Sequence, residues 1–265
     1  MQLPTLTVVM PCLNEEDNVA AAARATLSAF DRKGVEGELI IVNDGSTDRT
    51  SEIAHDLQQC DKRIRIITHP KPQGIGSSFW DGVRAAQGDF CTWIPGDNEN
   101  DPDDVLRYYY MTNDVDIIVP FIHNMEVRSL SRRLISSLYR FIINMSFGTN
   151  LNYTNGTVIY NTAILRDIQL NTTGFFYQAE MLTRLIRAGY LYAETPQFLG
   201  SRGAGKTKAL TMKSFLDVAK SYLHLLWEVH VMRRVNELGD NLNPKSASYR
   251  RIQESAAKEL ANQRL

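Results

Sequence analysis

The densest grouping of chemically capable side chains is Trp93-Ile94-Pro95-Gly96-Asp97-Asn98-Glu99-Asn100-Asp101-Pro102, where carboxylates crowd in directly after a hydrophobic run over 89–94. Closely spaced hard oxygen donors at the carboxyl end of a strand suit a divalent cation that bridges to substrate phosphates. The same residues make a good helix start, because Asp101 can cap and Pro102 takes the first helical position. Taken alone, the cluster leaves these two readings level. A second grouping, Gly200-Ser201-Arg202-Gly203-Ala204-Gly205-Lys206-Thr207, fits the pattern G-x-x-x-x-G-K-[ST], in which backbone N–H groups cradle phosphates. A nucleotide loop of that kind follows a buried strand and works with a metal-binding acid on another strand. Whatever its class, this loop suits phosphate: Arg202 offers a bidentate fork, and Lys206 and Lys208 offer point charges.

Strands alternating with helices must position these groups. An apolar run over 6–10 ends at Pro11, and Asn14-Glu15-Glu16-Asp17 leads into an Ala-rich helix to about residue 30. A second run over 38–42 breaks at Asn43-Asp44-Gly45-Ser46-Thr47-Asp48, where Thr47 or Asp48 can cap a helix to about residue 58. Residues 63–68 read as a third strand, and Gly74-Ile75-Gly76-Ser77-Ser78 opens a helix to about residue 87. The acidic-loop strand, a helix around Leu106, a buried strand over 115–120 and an apolar yet basic helix over 128–147 follow. Strands over 157–161 and 191–199 flank a helix over 177–188. A long amphipathic helix over 213–234 precedes a break at Asn241-Leu242-Asn243-Pro244 and a final polar helix. The alternation predicts an α/β fold, a mainly parallel sheet with helices on both faces, over 1–212, with a helical extension over 213–265.

Bulk properties narrow the function classes. A chain of 265 residues with 43% hydrophobic content holds a substantial core, and a net charge of −1 gives no field favouring nucleic acid. Cys12, Cys60 and Cys91 form neither a CxxC pair nor a Cys/His cluster, which predicts a reducing compartment and no zinc. The first residues lack a basic flank and a long apolar core, so the expectation is a cytoplasmic protein. The glycosylation triplets at Asn144, Asn152, Asn155 and Asn171 are therefore discounted. No run approaches the roughly 18 apolar residues of a spanning helix, so membrane contact is expected to be peripheral. From Lys206 onward, 11 Lys/Arg stand against 6 Asp/Glu. With Phe215, Leu225, Leu226 and Trp227 on an apolar face, this segment could lie on an anionic membrane surface. Packing on its own domain, or on a twin subunit in a homo-oligomer, is an equal alternative.

Three motifs taken in order carry a family resemblance: Val9-Met10-Pro11-Cys12-Leu13-Asn14-Glu15-Glu16, then Ile41-Val42-Asn43-Asp44-Gly45-Ser46-Thr47-Asp48, then Gly74-Ile75-Gly76 with Gly82 and Ala85-Ala86-Gln87-Gly88-Asp89. Together they resemble the family 2 glycosyltransferases over about residues 5–210, most closely the dolichyl-phosphate mannosyltransferase and polyprenyl-phosphate glycosyltransferase branch. The resemblance implies a Rossmann-like GT-A fold. It also implies inverting transfer of a sugar from a UDP- or GDP-linked donor to a lipid phosphate, with Mg2+ or Mn2+ as cofactor. Pro11, Asn14 and Glu15 would lie at the donor base and Asp44 at the base or ribose, although Asn-Asp-Gly also makes an Asx-turn. Gly74 and Gly76 would open a helix near the nucleotide; they lack the third glycine of a dinucleotide fingerprint.

In the acidic loop, Pro95 stands where the family's Asp-x-Asp pattern has its first acid. Asp97 and Glu99 are thus the implied metal ligands, with Asp97 also catalytic through the leaving diphosphate. Thr154 and Gly156 resemble a segment beside sugar and acceptor, with Asn161 replacing the family's Arg. Glu180 is the implied sugar-binding acid or base; the plain alternative is an exposed first-turn residue favoured by the helix dipole. Arg202 and Lys208 match a segment that closes over donor and acceptor phosphates, and Arg128, Arg132 and Arg133 are candidates to hold the acceptor phosphate. Three rivals remain: a hydroxyl acceptor on a soluble molecule or polysaccharide, a P-loop nucleotide-binding protein, and a fold member that binds nucleotide sugar without turnover.

Overall fold

The computed structural model describes residues 5–125, 129–168, 172, 174, 176–198, 212–232 and 242–262. The elements run β1 (Leu6–Cys12), α1 (Val19–Lys33), β2 (Gly37–Asn43), α2 (Thr50–Cys60), β3 (Ile64–Thr68), α3 (Ile75–Ala85), β4 (Phe90–Trp93), α4 (Pro102–Val105), β5 (Ile117–Ile122), α5 (Leu130–Phe147), β6 (Ile159–Asn161), α6 (Thr162–Arg166), α7 (Tyr177–Arg187), β7 (Tyr192–Gln197), α8 (Met212–His230) and α9 (Ala247–Asn262). The helix expected around Leu106 is only the single turn α4, followed by a 3-10 turn over Tyr109–Asn113.

The strands form one sheet in the order β3-β2-β1-β4-β6-β5-β7. β1 to β4 are mutually parallel, β6 runs against both β4 and β5, and β7 is parallel to β5. The sheet is therefore mainly parallel, as expected, with β6 as the one reversed strand among the described residues. Every residue of β1 is buried, which explains why it reads as continuous apolar rather than alternating sequence: helices cover both faces. Successive side chains go to opposite layers. Leu6, Val8 and Met10, with Leu39 and Ile41, pack under α1 and α2, whereas Val9, Ile40 and Val42 join Phe79, Val83, Met181 and Leu185 of α3 and α7.

A third cluster joins α5, α7 and α8 through Ile143, Phe147, Phe176, Ala179, Leu225 and Val229. The apolar face expected on α8 thus divides: Leu225 is buried, Leu226 part-buried and Trp227 exposed, while the Phe215 side chain lies outside the described residues. α9 is secured at its first turn by the buried Asp116, which accepts from Ala247 N (2.7 Å), Ser248 N (3.0 Å) and the Ser248 hydroxyl. Among the described residues no helix is long and apolar enough to cross a membrane.

Candidate active site

The topology decides where the chemistry lies. β1, β2, β3, β4, β5 and β7 all point the same way, so their carboxyl ends share one edge, and the reversed β6 contributes its amino end to that edge. Strand order turns around between β1 and β4, the switch point where open α/β sheets bind ligands. Residues 12–18, 43–49, 69–74, 94–101 and 154–158 are thereby gathered at one mouth. A shallow groove of about 380 Å³ lined by Leu27, Ile53, Leu57 and Ile64 lies between α1 and α2, on the helical face and away from this edge.

The loops after β1 and β2 are laced together. Asn14, at φ 58°, accepts from Thr47 N through Oδ1 (2.9 Å), while its own N–H donates to Ser46 Oγ (3.0 Å). Glu15 N donates to Thr50 Oγ1 (2.8 Å), and the Glu15 carboxylate accepts from Asn18 Nδ2 (3.1 Å). Asp48 takes the Glu16 and Thr50 N–H groups. Of the two capping residues expected for α2, Asp48 thus serves its start, although the helix begins one residue later, after Arg49. Asp44 is buried: Oδ1 accepts from Gln73 N (2.8 Å) and faces His69 Nδ1 (2.7 Å), and Oδ2 accepts from Gly74 N (2.8 Å). Gly74, at φ 98°, precedes α3 in a conformation a side chain would disfavour, and Gly76 lies buried in the first turn.

The acidic loop serves both readings at once. Asp101 caps α4 by accepting from Asp103 N (3.0 Å), Asp103 pairs with Arg32 of α1, and Asp104 pairs with Arg107 (2.9 Å). These later acids build the loop. Asp97 and Glu99 precede them at the mouth, Asp97 part-exposed and Glu99 exposed, with Asp97 Oδ1 accepting from Glu99 N (3.1 Å) across Asn98 at φ 58°. Gly96 is seated on β1: Gly96 N donates to Pro11 O (3.1 Å), and a Cβ there would lie 2.4 Å from Cys12 Sγ. Burial pushes the Cys12 thiol far above its ordinary pKa, and the nearby charges of Glu15, Asp97 and Asp48 push the same way.

The divalent ion the sequence implies would meet this donor set. The described residues gather no group of three His/Cys/Asp/Glu, and the Cys12 sulfur keeps its proton. One or two carboxylates completed by substrate phosphates and water is how Mg2+, and by similar chemistry Mn2+, is usually held, so Asp97 and Glu99 fit.

Behind the acidic loop, the carbonyl of Gly156 accepts from Trp93 Nε1 (3.0 Å) and from Gln178 Nε2 of α7 (3.0 Å), while Thr154 is buried beside it. Gly156 is thereby tied to Trp93, the last residue of the strand that leads into the acidic loop. Glu180 is 1% exposed, which overturns the reading of it as an exposed first-turn residue. Its carboxylate accepts from Arg184 Nε (2.9 Å), and Arg184 also pairs with Glu228 of α8. Asn161, in place of the family's Arg, caps α6 by accepting from Ala163 N (2.9 Å). Phe198 N donates to Asp104 Oδ2 (2.9 Å), so the chain leaves β7 beside the acidic loop. Arg128, Arg202, Lys206 and Lys208 lie outside the described residues.

Arg132 and Arg133 are on α5, Arg132 exposed and Arg133 part-buried. That helix carries two apolar stripes. Tyr139, Ile143 and Phe147 face the core, whereas Leu130, Leu134, Leu138, Phe141 and Met145 are exposed, Leu134 by 71%. Sequence reasoning missed His69, Asp81, Asp116 and Arg184. For His69 the available signal was its position one residue beyond β3, at the same edge as Asp44.

The family model for glycosyl transferase family 2 matches residues 7–170. Among curated relatives, an undecaprenyl-phosphate 4-deoxy-4-formamido-L-arabinose transferase of Edwardsiella ictaluri is 26% identical over 148 residues, covering 56% of this chain and 46% of that protein. The chain thus spans about half the length of such relatives. In fold it is similar to mannosyl-3-phosphoglycerate synthase from Rubrobacter xylanophilus (TM-score 0.69, 14% identity, covering 91% of this chain and 79% of that one). It is also similar to glucosyl-3-phosphoglycerate synthase from Mycobacterium tuberculosis in complex with Mn2+, UDP and phosphoglyceric acid (TM-score 0.62, 18% identity, covering 84% and 78%). With the motif order, the GT-A-type sheet and the family match over more than half its length, this chain belongs to glycosyl transferase family 2.

Proposed function

We propose that the protein is an inverting glycosyltransferase that moves a sugar from a UDP- or GDP-linked donor onto a lipid-linked phosphate at a membrane surface. The observation that carries this reading is the seating of Gly96-Asp97 on Cys12 at the β1/β4 switch point, on the edge that also holds Glu15, Asp44 and Gly74. Donor binding is assigned to Pro11, Asn14, Glu15, Asp44, Gly74 and Gly76, with Arg202 and Lys208 closing on the phosphates. Asn14 acts here by bracing the first two loops, since its side chain is engaged with Thr47. A bound Mg2+ or Mn2+, held by Asp97 and Glu99, would offset the charge that builds on the departing diphosphate. UDP and Mn2+ in the M. tuberculosis synthase support this donor and ion.

The acceptor phosphate oxygen attacks the anomeric carbon opposite the diphosphate; the bond to the diphosphate breaks and configuration inverts. A phosphate monoester is already anionic near neutral pH, so no strong base is needed. Glu180 is assigned a positioning part, because Arg184 holds its carboxylate in the helix that braces Gly156. The lipid acceptor is supported by the undecaprenyl-phosphate relative and by α5. That helix already has a core-facing stripe, so its second apolar stripe does nothing for folding. With three arginines and no acid, it suits an anionic bilayer, and Arg128, Arg132 and Arg133 would meet the acceptor phosphate there.

The test is nucleoside diphosphate release from a panel of UDP- and GDP-sugars, with Mn2+ or EDTA, with and without polyprenyl phosphate. Release that requires metal and lipid and vanishes in Asp97→Ala is expected. Equal activity in Asp97→Ala would sink the placement of the site, and binding without turnover on any acceptor would favour a nucleotide-sugar-binding protein.

A further inference from the structure

His69 stands between two carboxylates at the mouth. It is 6% exposed, its backbone N–H donates to Asn43 O (2.9 Å), and its ring spans from Asp44 after β2 to Asp81 of α3, with Nδ1 2.7 Å from Asp44 Oδ1 and Nε2 3.0 Å from Asp81 Oδ2. An ionised carboxylate only accepts, and a neutral imidazole has one N–H; an imidazolium donates to both. Among the described residues, the other charged groups nearby are Arg84 of α3, which donates to Asp81 Oδ1 (2.8 Å), and the exposed Lys71 of the same loop.

What His69 holds is the turn into α3. The Asp44 carboxylate takes the N–H groups of Gln73 and Gly74, and Gly45 packs so tightly on Lys71-Pro72 that a Cβ would fall 2.6 Å from the Lys71 carbonyl carbon. Among the described residues Oδ1 thereby carries two partners and Oδ2 one, and a carboxylate oxygen can accept two. Rotation of Asp44 would release the turn and move the remaining acceptor position of Oδ2.

We propose that His69 is a positioning residue: by bridging Asp44 and Asp81 it locks the Asp44 carboxylate, and through it the Gln73-Gly74 turn at the donor mouth. The donor part of this statement rests on the proposed function; the clamp itself does not.

The clamp is tested by residue-resolved amide hydrogen exchange on wild type, His69→Phe and His69→Gln. His69→Phe keeps the ring shape without a donor, and His69→Gln restores one donor should the Phe variant fail to fold. The expected result is about tenfold loss of protection confined to Gln73 and Gly74, the scale of a hydrogen bond to a charged group. Affinity for UDP or GDP should weaken by about the same factor. Unchanged protection at Gln73 and Gly74, or a loss spread evenly over the chain as a merely stabilising histidine would give, overturns the proposal. If wild type binds neither nucleotide, the donor assignment fails while exchange at the two amides still decides the clamp.

Discussion

Replacing Gly96 with alanine tests whether the acidic loop sits on the end of β1 as described. The added Cβ would lie 2.4 Å from Cys12 Sγ, more than 1 Å inside an ordinary contact of roughly 3.5–4.0 Å. Cys12 is buried and its Sγ lies near Met10 O (3.5 Å), so the sulfur has little room to withdraw. Overpacking of this kind costs about 1–3 kcal/mol, and the lower entropy of an unfolded alanine returns about 0.4–1 kcal/mol. Gly96→Ala should therefore destabilise by about 1–2 kcal/mol. In a Cys12→Ala background the clashing atom is gone and the new methyl enters the vacated space, so the same substitution should be neutral to within ~0.5 kcal/mol. The double-mutant cycle should thus show a coupling of about 1–2 kcal/mol. Urea unfolding of the four proteins measures it, and Mn2+ titration of the folded single variant should show weaker binding because Asp97 is the next residue. Additive effects would mean that Gly96 and Cys12 do not touch, and the placement of Asp97 at the switch point would fall with that contact.

Arg184→Met should cost about 3–5 kcal/mol in urea unfolding, because Glu180 and Glu228 are then left buried without the cation between them; a loss under ~1 kcal/mol would contradict the network. Leu134→Gln with Leu138→Gln should leave stability within ~0.5 kcal/mol yet reduce co-sedimentation with phosphatidylglycerol vesicles by about tenfold or more, since both side chains are exposed. Unchanged vesicle binding would remove α5 from the membrane assignment. Burial raises the Cys12 and Cys91 thiols well above their ordinary range, so the folded chain keeps protons that the unfolded chain loses above pH ~8.5. The sign follows: stability is intact below that pH and falls above it, by about 1.4 kcal/mol per pH unit for each thiol. Chemical denaturation between pH ~8.5 and ~10 should show this slope reduced in Cys91→Ala, and a flat profile would refute it.

The doubly wound part was legible because its strands are buried on both faces and stand out as unbroken apolar runs between loop signals. β6 hid its direction: an isolated strand of three residues carries no information about its neighbours' sense. The acidic loop was recognised by composition, but its division of labour needed tertiary partners, since Arg32 on Asp103 and Phe198 N on Asp104 mark those two acids as builders of the loop. Apolar periodicity found the stripe on α5 without saying which way it faces, because Tyr139, Ile143 and Phe147 form a second stripe at the same spacing. On α8 three adjacent apolar residues, Leu225, Leu226 and Trp227, could not be sorted until α5 and α7 chose the side carrying Leu225 and Val229. Position alone could have flagged His69, but its bridging role was hidden because its partners are 25 and 12 positions away on different elements.

The Asp116 cap lies at the amino end of β5, across the sheet from the mouth. Beyond its first turn α9 is exposed along its length, so the Asp116 carboxylate, the Ser248 hydroxyl that also accepts from Leu191 N, and the Tyr249 ring packed on the core form the graft point for the whole helix. That makes the rest of α9 a replaceable module. Any helix that keeps Ala247-Ser248-Tyr249 at its start could be spliced there, and a reporter or surface anchor placed on it would lie at the pole opposite the mouth.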